Sequence, residues 1–85
     1  MEKREYNGWK NRATWNVMLW LQNDEGLYRT YRTYCKMVQD GKGSIVEARE
    51  EMLLLCFPSG KTPDGDSVHS ASRTEINAAM KEEVS

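Results

Sequence analysis

The sequence predicts an all-α fold: a compact single domain of about four helices, with a long loop between helices three and four. Three observations predict it. Asn11, Asp24, Ser44 and Ser72 stand ahead of successive apolar runs, and such short polar side chains accept from a free backbone N–H one turn inside a helix. Behind these caps the apolar residues return at three- and four-residue spacing, the repeat of one helix face. Clusters of glycine, proline and small polar residues separate the runs.

The first helix is predicted over Arg12 to Asn23, after a turn at Gly8 and a cap at Asn11. All three tryptophans lie within or just before it, in the run Gly8-Trp9-Lys10-Asn11-Arg12-Ala13-Thr14-Trp15-Asn16-Val17-Met18-Leu19-Trp20-Leu21. Tryptophan is bulky and its indole N–H needs a partner when buried. Such a cluster is either the centre of a small core or a binding surface, and the modest apolar content favours the core. Arg12, Asn16 and Asn23 fall near one line, and apolar residues cover most of the remaining circumference. A helix of that kind is normally central and buried. A strand competes over Trp15–Leu21, where the run is short and apolar; Asn at both ends and Met18, Leu19 and Leu21 inside favour helix. Trp15, Trp20, Leu19, Tyr31, Met52 and Leu55 are the expected core.

Asp24 caps a second helix from Glu25 to Gln39, and Glu25 suits the positive end of its dipole. Leu27, Tyr31, Tyr34, Cys35 and Val38 form its apolar face, and Arg29, Arg32 and Lys36 share another side. Gly41 ends it by taking the left-handed conformation without a Cβ clash. Ser44 and Glu47 form a capping box that opens a third helix, Ile45 to Phe57, closed by Pro58. Its stripe is Ile45, Ala48, Met52, Leu55 and Cys56, widened at the end by Leu53, Leu54 and Phe57, with Glu47, Glu50 and Glu51 toward solvent. Residues 58–71 are a loop of turn-forming composition, longer than is usual in so small a domain. Such a loop is either functional or mobile. Ser72 and Glu75 form a second capping box for a fourth helix, Arg73 to Glu83, with Ile76, Ala79, Met80 and Val84 as its stripe. Residues 1–7 read as a flexible lead-in.

The 85 residues carry a net charge of −1, with 39% hydrophobic and 29% charged residues. A chain of this size buries only about 60–65% of its unfolded surface, so large apolar groups are needed inside. The balanced charge argues against a strongly basic nucleic-acid protein and against a DNA mimic with a dense negative surface. No signal peptide or membrane span is apparent, so the expected location is the cytoplasm, with Cys35 and Cys56 reduced.

No catalytic site, metal site or cofactor is expected. Cys35, Cys56 and His69 are too widely spaced for a zinc pattern. Asp64-Gly65-Asp66 lacks the remaining ligands of a calcium loop. Asp66, Ser67 and His69 are close sequence neighbours, which triad members seldom are. Gly60-Lys61-Thr62 resembles the end of a phosphate loop, but Leu55 stands where the earlier glycine is required. Binding is the better reading. Lys10, Arg12, Arg29, Arg32 and Lys36 alternate with Trp9, Trp15, Tyr28 and Tyr31, as in surfaces that grip phosphates and stack bases. Against that stands an internal match of the basic side of helix two with Glu47, Glu50 and Glu51 of helix three. The candidate binding residues are Trp9, Lys10, Arg12, Arg29, Arg32 and Lys36, since Trp and Arg are enriched at hot spots.

The run from Gly8 to Val17, then Leu19-Trp20-Leu21 and Asn23-Asp24-Glu25-Gly26-Leu27-Tyr28, resembles a family of small uncharacterised phage and mobile-element proteins. Those begin with a Gly-Trp-x-Asn-x-x-Thr-Trp-x-Val run and an Asn-Asp-Glu restart. The resemblance covers residues 7–28 best. It implies a phage-like or plasmid-like origin and no particular activity. The expected function is that of a non-enzymatic accessory protein binding a host or phage protein, such as an enzyme or defence complex. Nucleic-acid binding through the basic and aromatic helix face is the alternative, and self-association is left open.

Overall fold

The computed structural model describes residues 8–83. The expectations for residues 1–7 and for Val84 lie outside them. Four α-helices follow one another among the described residues: α1 Arg12–Asn23, α2 Glu25–Gln39, α3 Ile45–Cys56 and α4 Arg73–Glu83. A short 3-10 turn, Val68–Ser70, precedes α4. The competing strand at Trp15–Leu21 does not form; that segment lies inside α1.

The caps act as their residue types dictate. Asn11, Asp24 and Ser44 accept from the backbone N–H groups of Thr14, Leu27 and Glu47, and Ser72 accepts from Glu75. Each satisfies a donor with no partner inside the helix. Gly41 has φ +74, so a Cβ there would be strained as α2 turns toward α3. Phe57 is the cap after α3 rather than its last residue. Pro58 disfavours helical geometry in the residue before it.

The core is built from Val17, Met18 and Leu21 of α1, Tyr31 and Cys35 of α2, Met52 and Leu53 of α3, and Ile76 and Met80 of α4. Phe57, Val68 and Ala71 close one end. The helix that packs substantially against all three others is α2, not α1. The reason lies in the loop: α1 gives much of its surface to residues 61–75 and packs on α2, α4 and the 3-10 turn.

Tyr31 and Met52 are buried as expected, and four other core assignments are corrected. Leu19 is 36% exposed and Leu55 is 62% exposed. Trp20 is half-buried at the edge of the core, where its ring packs while its N–H stays in reach of an exposed carboxylate. Trp15 is half-buried outside the core cluster, with the Arg12 guanidinium 5.6 Å above its ring. The most buried side of α1 runs through Thr14, Asn16, Val17, Met18 and Leu21, two of them polar. On that side Val17, Met18 and Leu21 enter the core, while Thr14 and Asn16 hydrogen-bond to Ser72 and Asp64.

Candidate functional site

The tryptophan-rich start of α1 is a hub of polar contacts to the second half of the chain. Asn11 caps α1 and also donates from Nδ2 to the Ser70 carbonyl at 3.1 Å. Thr14 is fully buried; its hydroxyl donates to Asn11 Oδ1 at 2.7 Å and accepts from the Ser72 N–H at 2.7 Å. The Lys10 N–H donates to Glu75 at 2.7 Å. Asn11, Thr14 and Lys10 together fix where α4 begins.

One turn further along, Asn16 Nδ2 and Trp20 Nε1 both donate to Asp64 Oδ2, at 2.9 and 3.0 Å. These bonds, Asn16 first and Trp20 second, hold the Asp64 carboxyl below its ordinary range, because they favour the charged form. They also fix the Asn16 amide, whose Oδ1 is buried without a hydrogen-bond partner. Arg12 pairs with Asp66 at 3.0 Å. The long loop is therefore an ordered part of the fold. An isolated bridge between Lys61 and Ser67 and a turn from Thr62 to Gly65 close it on itself. Asp66 faces Arg12, and the His69 ring lies beside Gly60, where a Cβ would come within 3.6 Å of its Nε2.

The six candidate binding residues fall into two groups. Trp9, Lys10 and Arg12 surround the start of α1. Trp9 packs half-buried against the core and lines a groove of about 540 Å³ with Gln22, Glu75, Ala78 and Ala79. Arg12 is held by Asp66 and Trp15. Arg29, Arg32 and Lys36 form an exposed strip on α2. Two of the three are matched locally, Arg29 to Glu25 of α2 at 2.8 Å and Lys36 to the C-cap Asp40 at 3.4 Å, and Arg32 lies 5.9 Å over the Tyr28 ring. The expected match to the α3 glutamates does not account for them. Glu50 instead accepts from Arg49 at 2.8 Å and Arg73 at 2.9 Å. Burial opposes its charge, but these two guanidinium groups outweigh it and hold its carboxyl low.

The cysteines are unpaired thiols, Cys35 buried and Cys56 half-buried. Burial, then the Glu83 charge, pushes Cys35 up to about 11. Burial, then the Asp24 charge, does the same for Cys56, to about 11. Neither is a reactive thiolate at neutral pH. Among the described residues no group of three or more His, Cys, Asp or Glu side chains is placed to hold a metal ion. Among the described residues no helix is long and apolar enough to cross a membrane.

The surface that the sequence reading missed is on α3. Leu54 is 67% exposed, Leu55 62% and Val46 51%. Leu54 also borders a groove of about 320 Å³ lined by Leu53, Phe57, Gly60, Val68 and His69. The signal was present in the sequence. Ile45, Val46, Ala48, Met52, Leu53, Leu54, Leu55 and Cys56 are too many apolar residues for one stripe of a twelve-residue helix. A helix with so many apolar residues normally buries more than one narrow stripe. In this fold α2 and α4 cover only part of α3.

A model of a family of unknown function, DUF7249, matches residues 2–85. No curated protein and no solved structure matches the chain.

Proposed function

The chain belongs to the DUF7249 family of unknown function, and from that premise we propose that it acts without catalysis, as an accessory protein that binds another protein through the outer face of α3. The observation that carries this reading is the exposed pair Leu54 and Leu55, with Val46 on the same helix. Large apolar groups clustered on a surface mark interaction sites more often than lone ones do. With roughly two-thirds of each leucine in water, covering the pair contributes about 2–4 kcal/mol. That is roughly a 30- to 700-fold gain in affinity, enough to anchor an interface though not to make one alone. The N-terminal run from Gly8 to Tyr28 supports a phage or mobile-element origin and a cytoplasmic place of action, in which the partner is a host or phage protein. The genes beside its coding sequence test that origin.

The direct test is capture from lysate of the host cell, comparing the native chain with a Leu54→Ser/Leu55→Ser variant. Both leucines are exposed, so the variant keeps its fold and thermal midpoint. The expected result is a protein retained by the native chain and lost with the variant. Identical capture by the two removes the α3 face from the reading.

A second reading, nucleic-acid binding, rests on the placement of Arg29, Arg32 and Lys36 along one exposed strip of α2. The carboxylates of Glu25 in α2 and of its C-cap Asp40 weaken it. A gel shift at low salt decides it. Non-specific binding is typically about 10⁻⁴–10⁻⁶ M, so no shift at high micromolar protein removes this reading.

A further inference from the structure

We propose that the groove between α1 and α4 is a second recognition site, which takes an arginine side chain from a short extended segment of a partner protein. This is the groove of about 540 Å³ that Trp9 borders. No residue of α3 lines it, so it stands apart from the apolar face assigned above. Its long wall is one side of α4: Glu75, Ala78, Ala79, Glu82 and Glu83 line it, and at 3.6 residues per turn these five fall within about 140° of the helix. Glu75 and Glu82, seven residues apart, lie one above the other, about 10–11 Å along the axis. The single methyl groups of Ala78 and Ala79 lie between them in height and leave the space open. Glu75 accepts the Lys10 N–H at 2.7 Å, which puts its carboxylate at the Trp9 end. Glu83 accepts the Tyr28 hydroxyl at 2.8 Å. Both donors are uncharged, so these bonds orient the carboxylates and leave their negative charge in place. Among the described residues no lysine or arginine lines the groove.

An indole and carboxylates in one cleft select a cation. Trp9 is half-buried and packs against the core, so its ring is in place before a ligand arrives. Arginine suits both kinds of group. Its planar guanidinium lies on an indole face, while its fork of N–H donors pairs with a carboxylate. The groove runs about 12 Å from Glu75 to Glu83, the span of three to four extended residues. That is more room than a guanidinium fills, and the backbone on either side of the arginine fits in it. A metal ion is a poorer occupant, because no group of three or more His, Cys, Asp or Glu among the described residues is placed to hold one. The phosphates of a nucleic acid or an anionic membrane would meet three like charges. A basic segment of a protein complements them.

The probe is a capped Gly-Arg-Gly-Arg-Gly peptide, with citrulline in place of both arginines as the neutral analogue of the same shape. Each is titrated into the ¹⁵N-labelled chain. The arginine peptide is expected to give saturable shifts at the Trp9 indole N–H and at the amides of Gly8, Ala78 and Glu82. Binding should be about ten-fold weaker or more for the citrulline peptide and for Glu75→Gln/Glu82→Gln, and about two- to five-fold weaker for Trp9→Leu. Glutamine at position 75 still accepts the Lys10 N–H and keeps the capping box, so that variant folds and changes charge alone. Glu47→Gln/Glu51→Gln removes the same charge from α3, and Leu54→Ser/Leu55→Ser removes the apolar face there; neither should alter the affinity. An equal loss in the α3 glutamine variant would reduce the effect to net charge and overturn the site. Equal binding of the citrulline peptide would do the same, as would the lack of any saturable shift at millimolar peptide. Saturation that appears only with Lys3→Gln/Arg4→Gln would assign the groove to the N-terminus of the chain itself and overturn an external partner. Each of these results leaves the α3 reading untouched.

Discussion

Replacing Thr14 with valine tests whether the start of α1 is a structural hub. Valine has nearly the same shape and leaves no cavity, but it has no hydroxyl. The variant loses the bond donated to Asn11 at 2.7 Å and the bond accepted from Ser72 at 2.7 Å. Each is worth about 1 kcal/mol, and leaving the half-buried Ser72 N–H without a partner adds about 1 kcal/mol or more. The expected total is about 3 kcal/mol. For a domain of this size that lowers the melting midpoint by roughly 12–24 °C. Thr14→Ser is the control, since it keeps the hydroxyl and loses one methyl, at about 1 kcal/mol. Calorimetry or thermal circular dichroism reads both. Hydrogen exchange should show faster opening at the Ser72 and Glu75 amides in the valine variant. Equal midpoints for valine and serine would refute the reasoning, because they would mean that the two bonds do not hold α4 in place.

The Asp64 clamp makes the loop sensitive to acid. A carboxylate held low in the folded state adds stability above its ordinary range and loses it as pH falls through the lowered value, so the effect lies below about pH 4. Tryptophan emission followed from pH 6 to 2 should change there as Trp20 is released, and an Asp64→Ala variant should show that emission already at pH 6; matching curves would count against the clamp. The raised thiols act in the opposite direction: their contribution is complete below about pH 8.5 and is lost as pH rises toward their folded values. Denaturation midpoints should therefore fall between about pH 9 and 11, less so for Cys35→Ala than for the native chain at equal starting stability. Burial also raises the Tyr31 phenol, which lies beside Cys35 with no hydrogen-bond partner for its hydroxyl. Tyr31→Phe should cost under about 1 kcal/mol in urea unfolding, and a loss above 2 would show that the hydroxyl is bonded. Trp20→Phe keeps the apolar ring and drops the N–H to Asp64, so it should loosen the 62–67 loop by proteolysis while moving the midpoint less than Met52→Ala, a fully buried site worth about 2–5 kcal/mol.

The helices were legible because their determinants are local. Asn11, Asp24, Ser44 and Ser72 each cap with their own side chain, Gly41 needs only its missing Cβ, and Pro58 acts on its immediate neighbour. Tyr31, Cys35, Met52 and Ile76 were legible as core because each lies on a three- and four-residue repeat. The role of Trp20 was not legible. Its partner, Asp64, is 44 residues away, and nothing in the spacing of either residue refers to the other. The repeat of Leu55 fits the inward stripe of α3, yet Leu53 takes the buried position. Both registers are apolar, so periodicity could not choose between them.

Composition and local pattern alone determined an all-helical chain, the ends of its helices to within a residue, and the absence of a strong charge bias toward any polymer. Tertiary structure decided which side of each helix faces in, that residues 61–75 close over α1, and that two leucines of α3 remain in water. The physical reason is range. A cap or a turn is settled among residues a few positions apart, whereas the facing of an amphipathic or wholly apolar helix depends on which distant side chains compete to cover it. In this chain Asp64 and Asp66 reached α1 through Asn16, Trp20 and Arg12, and among the described residues no segment covers Leu54 and Leu55.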